Sequence, residues 1–169
     1  MEFFVQSTGF DLDGYRIPPF TLGPSEMVRI WIPPTSKKGG WTGYDMSKHF
    51  TQALAKKRYI QGLTVNQPIP FAQITPQRPI ASFLYPLTVE RFLKQRQQLN
   101  EMESQSLTTD LGLTGKKKME QLNSMTSRLL SIQCMAIKSC CLAFDYFGVD
   151  PTGEQAITEF MKRLIEAGR

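Results

Sequence analysis

The run Cys140-Cys141-Leu142-Ala143-Phe144-Asp145 is apolar until its last residue, and Gly148, Asp150 and Pro151 then turn the chain into an amphipathic stretch. This pattern predicts a buried strand that delivers one carboxylate to its C-terminal end, followed by a turn and a helix. In an open α/β sheet an acid so placed can hold a metal ion beside a phosphate; the alternative is an aspartate that only caps the turn. The next residue is Tyr146. A phenol is a poor base at neutral pH, so the residue that would activate a water is not found there.

With 169 residues, 41% of them hydrophobic, the chain is long enough for a real core, and it reads as a single domain over 1–169. Its 11 prolines and 12 glycines punctuate the sequence without making it low in complexity. No stretch approaches the roughly 18 apolar residues of a membrane span, and the N-terminus has no basic segment leading into an apolar one. The expectation is a cytoplasmic protein without a direct membrane span. Cys134, Cys140 and Cys141 have neither a disulfide framework nor a metal-ligand spacing and read as buried thiols. The net charge of +5 is gathered in Lys37-Lys38, Lys56-Lys57-Arg58 and Lys116-Lys117-Lys118. These groups read as solvated faces, with an acidic partner as the alternative. Without a nucleic-acid motif beside them, a nucleic-acid partner is not expected.

Along the chain, Phe3 to Thr8 and Tyr15 to Ile17 read as strands around Asp11-Leu12-Asp13-Gly14, in which Asp-Gly signals a hairpin. Met27, Val28, Ile30 and Ile32 predict a buried strand ending at Pro33-Pro34, followed by a glycine-containing loop that could cradle a phosphate. A helix from Asp45 to Ile60 follows, capped by Asp45, with Met46, Phe50 and Leu54 on one face. Prolines between Gln67 and Pro86 exclude a long helix there and leave a short strand around Phe71 to Ile74. Helices are predicted over Thr88 to Glu103 and Lys118 to Ile137. A last one is predicted from a Thr152/Gln155 capping box through Ile157, Phe160, Met161, Leu164 and Ile165.

In that order the pieces resemble the ATP-binding cassette (ABC) ATPase domain. Pro19-Phe20-Thr21-Leu22 through Val28-Arg29-Ile30-Trp31 looks like the strands leading into its phosphate loop. Thr75-Pro76-Gln77 followed by Leu84 to Phe92 looks like its Q-loop and the start of its helical subdomain, here about 78–130. Leu122, Asn123, Ser124, Met125 and Thr126 fall in a segment similar to the family's signature sequence, and Gly148-Val149-Asp150-Pro151 looks like its D-loop. The resemblance implies an α/β, P-loop NTPase-like fold: a mostly parallel sheet with antiparallel N-terminal strands and a small helical subdomain.

The same resemblance marks departures. With Pro33 on the family's loop proline, Lys38 falls on the phosphate-binding lysine, and Gly39 and Gly40 stand where the family has hydroxyl residues. Ile32, Thr35 and Lys37 replace glycines, so the nest of N–H groups that grips phosphate is expected to form poorly. Ser124, Met125 and Thr126 replace the signature's two glycines and glutamine, and Tyr146 replaces its catalytic glutamate. The chain stops at Arg169, ahead of the family's next strand and histidine, an end that would leave a sheet edge for another chain to complete.

Any nucleotide site would use Lys38, Gly39, Gly40, Gln77 and Asp145, with Asp145 as the metal ligand and Val149 and Asp150 in the D-loop-like turn. ATP and Mg²⁺ are possible ligands but not required ones. The function so implied is a catalytically impaired ABC ATPase-like subunit acting as a structural or regulatory interaction protein. Its partner would be a second copy, another ABC-type ATPase or a membrane complex to which it is peripheral. The alternative is a divergent ATP-binding subunit of an ABC-type transporter.

Overall fold

The computed structural model describes residues 3–35, 40, 42–73 and 85–167. These divide between two compact units, one drawn from 1–71, 139–147 and 161–169, the other from 72–138 and 148–160.

In the first unit the chain reverses at Asp13 and Gly14, whose φ values of 49° and 89° make the two-residue turn that matches the twist of an antiparallel pair. The Asp11 carboxylate accepts the Gly14 N–H at 2.9 Å. The turn joins β2 (Phe10–Leu12) to β3 (Tyr15–Ile17), with Phe10 opposite Ile17 and Leu12 opposite Tyr15. Phe10, Leu12 and Ile17 point into the core while Asp11 and Arg16 face out, as the period of a strand requires. The residues before this hairpin form β1 (Val5–Ser7), which lies between β4 (Phe20–Leu22) and β5 (Leu63–Val65), antiparallel to both. Gly62 precedes β5 at φ 86°, and a Cβ there would stand 2.5 Å from the Gly9 carbonyl oxygen. Only glycine satisfies both conditions.

Helix α1 spans Gly43–Leu54. Its N-cap is Thr42 and not Asp45: the Thr42 hydroxyl accepts the Asp45 N–H, and the Asp45 carboxylate accepts the Thr42 N–H at 3.0 Å. The Thr42 N–H first, and then the Thr42 hydroxyl, which donates to the same carboxylate at 2.7 Å, hold the Asp45 carboxyl below its ordinary pKa. Met46, Phe50, Ala53 and Leu54 bury one face, with Phe50 stacked on Phe10 at 5.5 Å between ring centres.

The second unit is helical. Helix α2 (Val89–Arg91) runs into a wider turn over Phe92–Arg96, and the chain then breaks at Gln98, which has φ 53°. Asn100 caps α3 (Glu101–Asp110) through a reciprocal pair with Glu103. A short turn at Met119–Gln121 precedes α4 (Ser124–Lys138); of α5 (Pro151–Glu166) the residues up to Phe160 belong to this unit and those from Met161 to the first. The core gathers Val89, Phe92, Leu93, Leu99, Leu107, Leu130 and Cys134.

The expected mostly parallel sheet is not present among the described residues, and the P-loop NTPase-like, ABC ATPase-like fold is therefore not supported. The two sheets are antiparallel. Residues 26–32 have a strand's composition but join neither sheet. The Cys140–Asp145 run makes one parallel bridge, Ala143 to Phe71, with the Ala143 N–H donating to the Pro70 carbonyl at 2.9 Å. Pro68 and Pro70 have no N–H to give, and the Ile69 N–H is taken by the Leu54 carbonyl, so the ladder cannot extend to the residues before Phe71. The long helix read over 88–103 is interrupted at 97–100. The helix read over 118–137 begins at Ser124, and Asp150, not Thr152, caps the last one.

Candidate functional site

Lys38, Gly39 and Gln77 lie outside the described residues. Gly40 has φ 96°, and a Cβ built on it would meet nothing within 4 Å. The signature-like and D-loop-like residues are brought together within the second unit. Gly148 faces the Ser124 hydroxyl, and a Cβ on Gly153 would stand 3.2 Å from the Met125 Cβ and 2.6 Å from the Val149 side chain. Two of their polar side chains, Asn123 and Asp150, serve helix ends. The Asn123 carboxamide accepts the Thr126 N–H at 2.8 Å, and the Asp150 carboxylate accepts the Gly153 N–H at 2.7 Å. Leu122 packs on the helical core. Asp145 belongs to the other unit.

Around Asp145 the chain builds an aromatic surface that the sequence reading missed. The Asp145 carboxylate accepts the Phe147 N–H at 3.1 Å, which closes a side-chain turn over Asp145–Phe147. Phe144 and Tyr146 meet edge to face at 5.4 Å, and the Arg29 guanidinium lies over the Tyr146 ring at 5.1 Å. Phe147 meets Tyr44 of α1 edge to face at 6.0 Å.

Two elements support this surface. Residues 30–32 alternate, with Ile30 and Ile32 packed against the core and Trp31 turned out, 70% exposed. Just beyond, the Gly43 N–H donates to the Pro34 carbonyl at 2.8 Å, and Thr35 bridges Thr42, fixing the start of α1 and with it Tyr44. Tyr44 and Phe147 remain 51% and 43% exposed despite their mutual contact. Exposed Trp, Tyr and Phe with a stacked Arg are the residue types that anchor protein interfaces. The signal in the sequence is Phe144-Asp145-Tyr146-Phe147 itself, three aromatics around one acid, a stretch whose catalytic reading turns on Asp145 and on Tyr146 as a poor base and passes over the aromatic group.

Among the described residues, no three or more His, Cys, Asp or Glu side chains gather into a metal-binding group, and no helix is long and apolar enough to cross a membrane. No protein-family profile and no curated protein sequence matches this chain.

Proposed function

We propose that the chain is a binding module that engages a protein partner through the aromatic surface around the Asp145 turn. The observation that carries this reading is that the Asp145 carboxylate is bonded into a local turn with Phe144, Tyr146 and Phe147 around it, while Tyr44 stands exposed against Phe147 and Trp31, two residues from the stacked Arg29, is exposed in the same unit. A carboxylate meant to hold a metal and a phosphate needs open space and further oxygen ligands; one that organises a turn presents its neighbours instead. The structural or regulatory role expected from the sequence is kept, without the ATPase scaffold first attached to it.

The test is partner capture followed by reconstitution. Proteins enriched with the wild-type chain are identified, and the most enriched is rebound in purified form to Trp31→Glu and to Tyr44→Glu/Phe147→Glu. Each variant is expected to weaken that complex at least about tenfold with an unchanged circular dichroism spectrum, because truncating an interface anchor costs about 2 kcal/mol or more. Unchanged affinity in both variants would remove the surface from consideration. Mg²⁺-dependent ATP turnover that disappears in Asp145→Asn would replace this reading with an enzymatic one.

A further inference from the structure

The C-terminal end of α1 carries a separate feature. Ala55 closes the helix, and Lys56 adopts a left-handed backbone, φ 56°, at the position that glycine usually takes. The Lys56 N–H donates to the Ala53 carbonyl at 2.9 Å and the Lys57 N–H to the Gln52 carbonyl at 2.8 Å. The Ala55 N–H reaches the Thr51 carbonyl and the Ile69 N–H the Leu54 carbonyl, so the last four carbonyls of the helix all have donors. The partial negative charge of this helix end is thereby covered, which lowers the electrostatic cost of an anion nearby.

The side chains then separate by role. Lys56 is fastened, its Nζ donating to the Asn66 carbonyl at 2.7 Å, while the Asn66 amide nitrogens donate to the Phe3 and Phe4 carbonyls. Lys57, Arg58 and Tyr59 edge an open cleft of about 430 Å³ whose apolar floor includes Ile60, Leu63 and Val65. No acidic residue lines it among the described residues. Tyr59 is 81% exposed, a flat ring held in water next to two cations and an apolar floor. The volume lies within the range of small-molecule sites, at its lower end.

We infer that this cleft binds a small nucleoside phosphate, with the base stacked on Tyr59 over the apolar floor and the phosphate held by Lys57 and Arg58. Stacking on an exposed aromatic ring suits any base, and an Arg beside a Lys gives phosphate both a planar fork and a point charge. The inference is independent of the proposed partner surface, and its cleft includes neither Asp145 nor Tyr44.

The test is titration of the whole chain with adenosine 5′-monophosphate by calorimetry and ligand-observed NMR, alongside adenosine, inorganic phosphate and single-stranded oligoadenylate. Saturable binding of the monophosphate is expected, with adenosine and inorganic phosphate each at least about fivefold weaker, since each engages half of the site. Tyr59→Ala is expected to weaken binding roughly tenfold while Tyr59→Phe retains it, as stacking needs the ring and not the hydroxyl. Lys57→Ala/Arg58→Ala is expected to weaken it to a similar degree and to flatten its salt dependence. Four results would each overturn the inference: no saturation at millimolar monophosphate, equal binding of inorganic phosphate, wild-type affinity in the Tyr59→Ala and double variants, or binding of the oligonucleotide alone. The substituted side chains lie at an exposed edge, so unchanged melting temperatures are expected to accompany every loss.

Discussion

The two units of this chain hold themselves together in different ways. In the first, three-residue strands from opposite ends of a long segment must meet: β1 at Val5–Ser7 pairs with β5 at Leu63–Val65, and neither has internal hydrogen bonds of its own. In the second, α3 and α4 each close their own N-terminus with a neighbouring side chain, Asn100 for one and Asn123 for the other. One unit depends on contacts remote in sequence, the other on local bonds plus packing. That contrast predicts where each is vulnerable.

The largest effects are expected from the two cores. Phe10→Ala and Phe92→Ala remove equally buried rings, and each is expected to cost about 3–5 kcal/mol in urea unfolding. Hydrogen exchange then sharpens the comparison. Phe10→Ala should lower protection first in β1 and α1, and Phe92→Ala first in α3 and α4. Identical protection losses in both variants would mean that the two cores respond as one.

Glycines come next. Gly62→Ala forces a Cβ against the Gly9 backbone at a positive φ and is expected to cost roughly 2–3 kcal/mol. Gly112→Ala, in the helical unit, meets nothing within 4 Å and bears only its φ of 60°, so roughly 1 kcal/mol is expected. Equal shifts in melting temperature for the two would break the distinction between remote and local constraint.

Caps give smaller changes: Thr42→Ala on α1 and Asn100→Ala on α3 are each expected to lower stability by about 1 kcal/mol. Asn100→Asp should preserve it, measured by the same denaturation.

Least visible at neutral pH are the thiols, one in each unit. Burial pushes Cys134 up to about 12 and Cys141 up to about 11, from an ordinary 9.0, while Cys140 is exposed. The unfolded chain loses these protons first, so stability is unaffected below about pH 9. It declines as pH rises, and the decline is complete by about pH 11 for Cys141 and about pH 12 for Cys134. A thiol-reactive disulfide reagent at pH 8 should modify Cys140 rapidly and the other two only on unfolding; rapid reaction of all three would contradict the burial.

Features that depend on neighbours in sequence were the legible ones. Asp13-Gly14 announced the hairpin, although its first strand is β2 and not the Phe3 to Thr8 segment. The Met46, Phe50 and Leu54 stripe announced the buried face of α1. The Asn100 and Glu103 capping box was also present in the sequence, yet the apolar spacing through Leu99 masked it, and the two helices were read as one. The site was less legible. Asp145 looked like a metal ligand because an acid after an apolar run has that meaning only if the run is a strand within a parallel sheet. Asp150 and Asn123 were placed in nucleotide-site motifs, whereas their side chains close helix termini.

The sequence by itself determined turns, caps and helix faces, since each of these is fixed by bonds and spacings a few residues long. Only the tertiary structure decided what the two β-prone runs become. A strand is completed by a neighbour with N–H and C=O groups to offer. Residues 26–32 found no ladder among the described residues, and the run ending at Asp145 met a segment whose Pro68 and Pro70 cannot donate.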